Sequence, residues 1–158
     1  IRNSMFRPDD DMVVHRLIQE EVGPVCHPDY AVQMNLQTVD AIAHCHILCA
    51  KTRPHGWNEW LACSGHEQKT VVPHESFEHF YLLIQAAACG LGLAMVPRLL
   101  VEDEIRQGHL VAPFGFVAGP HRLDLWINPH LRARKDVRHL IDWLADEMKQ
   151  PRQDNKKK

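Results

Sequence analysis

The sequence predicts an α/β fold in which helices cover both faces of a sheet. Short apolar runs such as "HILCA" (46–50) and "LGLAMV" (91–96) are typical of strands buried on both faces. Segments with helical character alternate with these runs along the chain, which is the order expected for an α/β architecture. Apolar residues make up 45% of the 158 residues, enough to build a core.

Each predicted element is delimited by residues that start or stop regular structure. Glycines are predicted to end three helical segments, Thr38 or Asp40 and, further along, Ser76 are predicted N-cap residues, and Pro97 suits the first turn of a helix. Gly23-Pro24 marks a bulge or crossing point within the first strand. The predicted strands are 16–26, 46–50, 70–73, 91–96, 110–114 and 123–127, and the predicted helical segments are 38–43, 56–65, 77–89, 97–107 and 133–149.

The last helical segment has a clear apolar stripe. Its apolar residues recur at the spacing i, i+3, i+4, i+7 and i+11, which places them on one face of a helix. They are Val137, Leu140, Ile141, Leu144 and Met148.

The two glycines of "GLG" (90–92) raise the possibility of a phosphate loop. A dinucleotide-binding loop needs G-x-G-x-x-G after a strand and before a helix, whereas Gly90 follows a helix and precedes a strand. The third glycine of that motif would fall on Met95. We therefore interpret Gly90 as a left-handed helix end and Gly92 as a site of close packing between backbone segments.

Composition argues against several classes of protein. The formal net charge is −2, so direct binding of this chain to nucleic acid is not expected. No apolar run approaches the ~20 residues of a membrane span. Five cysteines in mostly apolar surroundings favour reduced thiols and a cytoplasmic location.

Two histidine-containing stretches suggest metal chemistry without matching its geometry. In "HESFEH", His74 and His79 are five residues apart, and such residues diverge on a helix instead of sharing a face. In "HCHILC" (44–49), alternation along a strand places the two histidines on one face and the two cysteines on the other. We predict no metal, no cofactor and no catalytic residue, although metal sensing stays open as an alternative.

The chain resembles the effector-binding domain of LysR-type transcriptional regulators, and it is most similar to the subgroup that includes the glycine-cleavage activator. The specific part of the resemblance is helix, A-x-x-G-L-G, apolar strand, P-R, helix and G-x-L-V-x-P-F. Four stretches carry it: "LIQEEVGPVCHP", "HILCAKTRPHGWNEWLACSG", "ESFEHFYLLIQAAACGLGLAMVPRLLVEDEIRQGHLVAPF" and "DVRHLIDWLADE".

The resemblance implies a periplasmic-binding-protein-like (type 2) fold with two lobes. Residues 3–120 would form the second lobe, and 121–149 would form the strand and helix that return to the first lobe. Residues 150–158 would be a disordered tail. The winged helix-turn-helix that binds DNA, and most of the first lobe, would lie outside this chain.

The resemblance also implies a ligand site, because helix N-termini in such domains face the crevice between the lobes and their free N–H groups attract anions. One candidate group lies near a predicted helix start at Arg53, His55 and Trp57. The other comprises Glu75, Ser76 and Phe77. Each residue has a purely structural alternative: Trp57 and Phe77 as core, Ser76 as a cap, and Arg53 and Glu75 as solvated charges.

We therefore predict a ligand-sensing module of a bacterial transcription regulator and not an enzyme. Its partners would be a small effector, anionic or amino-acid-like and held between the lobes, and further copies of the protein in a dimer or tetramer. DNA would be contacted only through the N-terminal domain outside this chain. The alternatives are a free-standing solute-binding protein or an enzyme lobe of the same fold, and a structural piece that only mediates oligomerisation.

Overall fold

The computed structural model describes residues 1–149 and confirms a mixed α/β architecture. The chain divides into two compact units. The central unit comprises residues 20–120, and the split unit is built from residues 1–19 together with 121–149. The predicted second lobe began at residue 3, whereas the central unit begins at residue 20. The assignment of either unit to a lobe stays a prediction, and the predicted tail at 150–158 lies outside the described residues.

Strands and helices alternate along the chain as predicted, but some boundaries differ, and the first strand and the first helix were not predicted. The strands are β1 (Arg2–Asn3), β2 (Val13–Val25), β3 (Ile47–Ala50), β4 (Glu75–Phe77), β5 (Leu93–Pro97) and β6 (Val117–Ile127). The α-helices are α1 (Pro28–Gln33), α2 (Gly56–Cys63), α3 (Phe80–Ala88), α4 (Glu102–Arg106) and α5 (Lys135–Lys149). Short 3₁₀ turns occupy Val39–His44, Arg98–Leu100 and Pro129–Leu131.

The sheet of the central unit has the order β2-β5-β3-β4. Strands β5, β3 and β4 are parallel, and β2 runs antiparallel to β5. Successive side chains of β3 enter different clusters: Ile47 and Cys49 join the one that contains the α2 tryptophans, while Leu48 and Ala50 join the one under α3. This alternation explains why the strand is apolar throughout, since both faces are covered.

Helix α3 ends as the sequence predicts. Gly90 has φ of +79°, its N–H donates to the Ala87 carbonyl, and the Leu91 N–H donates to the Ala86 carbonyl. This pair of hydrogen bonds is a Schellman motif, in which glycine takes the left-handed position without steric cost. A Cβ on Gly92 would stand 2.3 Å from the His46 carbonyl oxygen, so Gly92 marks a close approach of two backbone segments. Gly90 therefore ends a helix, and Gly92 allows two backbone segments to pack closely.

Three predicted boundaries in the central unit are wrong for identifiable reasons. Residues 70–73 form no strand, because pairing with β3 begins only at Glu75. The predicted strand 110–114 is reduced to a bridge between Val111 and Cys26, and Pro113 cannot donate to a longer ladder. Pro97 ends β5 opposite Val22, so α4 starts later than predicted.

The split unit contains the pairing of β1 with β6 and the helix α5. Arg2 pairs with Asp124 and Asn3 with Leu123 in an antiparallel ladder. On α5 the predicted apolar stripe is half-buried at Val137, Ile141, Leu144 and Met148, whereas Leu140 is 48% exposed. None of the helices within residues 1–149 combines the length and the apolar character needed to cross a membrane.

Candidate functional site

The carboxyl ends of the parallel strands bring charged residues together within the central unit. In α/β sheets this edge is the usual place for ligands, because the loops and helix N-termini that follow the strands meet there. Residues of β2 reach the same edge, since Val22 pairs with Pro97 at the end of β5. We call this region the carboxyl edge; it comprises Glu20, Glu21, Lys51, Thr52, Arg53, Glu78, His79 and Arg98.

The centre of the carboxyl edge is a buried ion pair. Arg53 Nη2 lies 2.7 Å from Glu20 Oε2, and the two side chains are only 7% and 8% exposed. The Arg53 stem packs over Gly56, where a Cβ on residue 56 would come within 3.3 Å of Arg53 Cγ. The second terminal nitrogen, Nη1, is buried and finds no hydrogen-bond partner among residues 1–149.

Two exposed ion pairs flank this buried one. Arg98 Nη1 lies 2.8 Å from Glu21 Oε2, and Lys51 pairs with Glu78. The hydrogen bond and the positive charge of Lys51 lower the pKa of the Glu78 carboxyl below its ordinary value of 4.5. Because these side chains are about half exposed, solvent and salt screen the pairs.

Two helices begin at the carboxyl edge. Helix α2 follows β3, with His55 at the N-cap position, and α3 follows β4, with His79 at the N-cap position. In this part of the chain neither histidine side chain accepts a hydrogen bond from the first turn of its helix. First-turn N–H groups of both helices are therefore uncapped by side chains and carry the partial positive charge of the helix N-terminus.

The first group of predicted site residues divides between the edge and the core. Arg53 lies at the carboxyl edge but is buried, so its interpretation as a solvated charge is wrong. His55 is exposed at the start of α2. Trp57 is 2% exposed, and its Nε1 donates to the Leu48 carbonyl oxygen over 3.0 Å. The core alternative therefore describes the position of Trp57, whose ring stands edge-on to that of Trp60.

The second group lies on β4 and not on a helix. Ser76 was predicted to cap the next helix, but the ladder of β4 with β3 pairs it with Cys49, and α3 begins only at Phe80. That N-cap role is wrong. Ser76 Oγ lies 3.2 Å from Cys49 Sγ, Glu75 Oε1 lies 3.5 Å from His46 Nε2, and Phe77 packs half-buried against the core under α3.

Of the carboxyl edge, sequence analysis identified only Arg53 as a site residue, and the residues it missed include Glu20, Lys51 and Glu78. Lys51 and Glu78 each follow directly after a parallel strand, and this position is a signal that could have identified them. Glu20 lies on an antiparallel strand 33 positions before Arg53, and only the register of the sheet brings the two together.

At the opposite ends of β3 and β4, polar side chains bond to the backbone. His74 Nδ1 accepts from the Ile47 N–H over 3.0 Å, and the Tyr30 hydroxyl accepts from the His46 N–H over 2.8 Å. The rings of His46 and His74 lie with their centroids 4.9 Å apart and their planes tilted by 33°. Nearby, burial and the neighbouring Cys45 raise the pKa of the Cys26 thiol to about 12, which makes it a poor nucleophile.

Neither metal-like stretch forms a ligand set within the described residues. His74 precedes β4 and His79 precedes α3, so they belong to opposite ends of the same strand. Across residues 1–149, no three His, Cys, Asp or Glu side chains are placed to hold a metal ion.

A cavity of about 260 Å³ lies at the far end of α3, away from the carboxyl edge. Several of the residues that line it already bond within the chain: His27 Nδ1 accepts from the Asp29 N–H, and the Tyr30 hydroxyl accepts from the His46 N–H. The carboxyl edge is therefore the stronger candidate site.

Comparison with known proteins agrees with the architecture. The family model of the LysR substrate binding domain matches residues 2–149. The effector domain of the transcriptional regulator AmpR of Pseudomonas aeruginosa superposes with a TM-score of 0.73 at 16% identity, covering 89% of this chain and 67% of that one. The regulatory domain of CrgA from Neisseria meningitidis gives 0.69 at 17% identity, with 92% and 73% covered. The predicted periplasmic-binding-protein-like (type 2) fold is confirmed.

Curated relatives are described as transcriptional regulators and not as enzymes. The HTH-type transcriptional regulator TrpI of Pseudomonas aeruginosa is 35% identical over 140 residues, which is 87% of this chain and 47% of that protein. The HTH-type transcriptional regulator DsdC of Escherichia coli is 33% identical over 150 residues, or 90% and 48%. The glycine cleavage system transcriptional activator of Escherichia coli is 30% identical over 105 residues, or 66% and 34%.

The chain thus spans about half the length of the first two relatives. The family model covers the described residues almost completely, and the identities to TrpI and DsdC extend over nearly all of the chain. The chain therefore belongs to the family of LysR-type transcriptional regulators, and it matches their substrate-binding domain.

Proposed function

We propose that this chain senses a small metabolite and that, in the intact regulator, binding of this effector controls DNA binding and transcription. The effector carries a carboxylate, as an anion or an amino-acid-like molecule, and binds at the carboxyl edge. The observation that supports this site is the buried Nη1 of Arg53, which lacks a hydrogen-bond partner among the described residues.

A buried N–H group without a partner costs about 1–3 kcal/mol, and more when the group is charged. Planar guanidinium groups bind carboxylates through paired N–H donors, so a ligand carboxylate would satisfy Nη1. The uncapped first turns of α2 and α3 add further N–H donors at the same edge. The carboxyl edge therefore offers a ligand carboxylate both the Nη1 donor of Arg53 and the positive potential of two helix N-termini.

Calorimetric titration of the gene product that contains this chain tests the proposal. The probes are small carboxylic acids and amino acids, and the variant is Arg53→Lys, which keeps the charge beside Glu20 but removes Nη1. We expect at least one probe to bind, and its affinity to fall by about tenfold or more in the variant, since a charge-assisted hydrogen bond contributes ~1.5–3 kcal/mol.

The matched control is Arg106→Lys, which changes an arginine paired with Asp103 on α4. Each probe that binds should bind the Arg106→Lys variant as tightly as the unchanged protein. Equal affinity of the Arg53→Lys variant for every probe that binds would contradict the site.

Control of DNA binding is tested with the same protein in a mobility-shift titration on DNA from upstream of its own gene. A probe that binds in calorimetry should change the affinity for DNA or the pattern of complexes, because an effector with different affinities for two states shifts their populations. An unchanged pattern at saturating probe would contradict a sensing role.

Self-association is part of the proposal. On α5 the apolar side chains of Leu140 and Trp143 are 48% and 56% exposed, and on α3 those of Tyr81 and Leu82 are 71% and 47% exposed. Exposed apolar surface of this kind is typical of an interface between copies. Light scattering coupled to size exclusion should show a dimer or tetramer, and Trp143→Glu should shift it towards the monomer.

A further inference from the structure

Resting on the proposed function, we infer that the ligand is a zwitterionic amino acid without net charge, and that Glu20 is the residue that determines this specificity. The inference rests on the balance of charge at the carboxyl edge. A site built for an anion would carry surplus positive charge, whereas this one does not.

The cations of the carboxyl edge are each already paired with a carboxylate. Arg53 pairs with Glu20, Lys51 with Glu78, and Arg98 with Glu21. Arg98 Nε also lies 3.4 Å from Glu102 Oε1. Three cations therefore face three carboxylates of the edge and a fourth, Glu102, on α4, so the edge offers hydrogen-bond donors for a carboxylate but no uncompensated positive charge.

Because Arg53 is buried, the balance of positive and negative charge around it determines which net charge the ligand can carry. Lys51, Glu78, Arg98 and Glu21 are about half exposed, so water and salt compensate an added charge near them. The guanidinium of Arg53 and the carboxylate of Glu20 are more than nine-tenths buried. An anion bound to Arg53 Nη1 would bring a second negative charge to a cation that Glu20 already neutralises, and a buried unpaired charge costs several kcal/mol.

An amino acid avoids this cost because its ammonium group accompanies the carboxylate. The carboxylate accepts from Arg53 Nη1, and the ammonium donates to Glu20 in the same buried surroundings. A carboxylate offers about four acceptor positions, so Glu20 can accept from the ammonium while its Oε2 lies 2.7 Å from Arg53 Nη2. The bound pair then adds no net charge to the buried site.

The test compares matched probes on the gene product that contains this chain. Calorimetry at pH 7 measures the affinities of alanine against propionate, serine against 3-hydroxypropionate, and aspartate against succinate. Within the pair that binds, we expect the amino acid to bind at least ~10-fold more tightly than the acid without the amine, because each 1.4 kcal/mol is tenfold in affinity.

Glu20→Gln should reverse this preference. Glutamine can still accept a hydrogen bond from Arg53 but no longer neutralises it, so the acid should gain affinity relative to the amino acid by about tenfold or more. Glu104→Gln is the control, because Glu104 lies on α4 and pairs with His109 outside the carboxyl edge, so this variant should keep the original ratio of affinities. If circular dichroism shows that Glu20→Gln does not fold, the matched probes on the unchanged protein decide the question alone.

The outcomes separate the inference from the proposed function. If acids bind as tightly as their amino acids and Arg53→Lys weakens binding by about tenfold or more, the carboxylate site stands and the zwitterion inference is overturned. If no probe of either kind binds, both are overturned. A preference for amino acids that Glu20→Gln leaves unchanged would remove Glu20 as its determinant.

Discussion

The two ends of strands β3 and β4 are both polar, but they use polarity differently. At the amino end, His74 and Tyr30 accept hydrogen bonds from backbone N–H groups at the start of β3. At the carboxyl end, the polar groups are charged and pair with one another. At the amino end, side chains thus complete hydrogen bonds of the sheet backbone beside the contact of His46 with Glu75, whereas the carboxyl end holds charges that do not cap any helix.

This difference shows how one sheet separates structural from binding roles. A side chain that accepts a hydrogen bond from a backbone N–H already has its partner in the folded chain. The buried guanidinium of Arg53 is only partly used, since Nη1 has no hydrogen-bond partner within residues 1–149. A buried group of this kind calls for a partner such as an ordered water, an ion or a ligand.

The largest expected effect tests the buried pair. Arg53→Ala leaves the Glu20 carboxylate buried without its cation, so the free energy of unfolding should fall by about 3–5 kcal/mol. Urea denaturation followed by circular dichroism measures it. Arg98→Ala breaks the exposed pair next to it and should cost only about 0–1 kcal/mol. Equal losses in the two variants would mean that burial does not distinguish these pairs.

A smaller effect is expected at Trp57, which lies beneath the carboxyl edge. Trp57→Phe removes the donor to the Leu48 carbonyl and reduces the volume of the core, so we expect a loss of about 1–3 kcal/mol in the free energy of unfolding. Chemical denaturation measures the loss. If the stability is unchanged, the hydrogen bond from the Trp57 indole to the Leu48 carbonyl does not stabilise the fold.

At the amino end the expected loss is smaller again. His74→Ala removes the acceptor for the Ile47 N–H, and because His74 is exposed, water can replace part of the bond; we expect about 1 kcal/mol. His74→Asn, which offers an oxygen at a similar position, should recover part of this loss. A probe that binds at the carboxyl edge should bind both variants as it binds the unchanged protein.

The smallest effect concerns the exposed pair of Lys51 and Glu78 and depends on pH. The pKa of Glu78 is lowered in the folded chain, so this pair stabilises the fold above the ordinary pKa of 4.5 and loses its contribution as pH falls through the lowered value. The small difference in unfolding free energy between the unchanged protein and Glu78→Gln should therefore be constant near neutral pH and shrink in acid. If the difference grew as the pH fell, the pKa of Glu78 would be raised and not lowered in the folded chain.

Local signals predicted much of the central unit. The apolar runs of β3 and β5, the glycine that ends α3 and the family resemblance are all readable from short stretches, because each depends on neighbours within a few residues. Ser76 shows the limit of such signals. Its residue type is typical of an N-cap, but pairing with Cys49 across the sheet outweighs that preference, and the helix starts later.

The candidate site was also predicted only in part from local sequence. Arg53 was identified from its position before a predicted helix, yet its burial and its partner were not, since Glu20 reaches it only through the antiparallel register of β2 with β5. By itself the sequence determined the fold class, the main strands and the family, because periodicity and backbone punctuation are local properties. Only the tertiary structure decided which charges are buried together, because desolvation and pairing depend on residues brought close from distant parts of the chain.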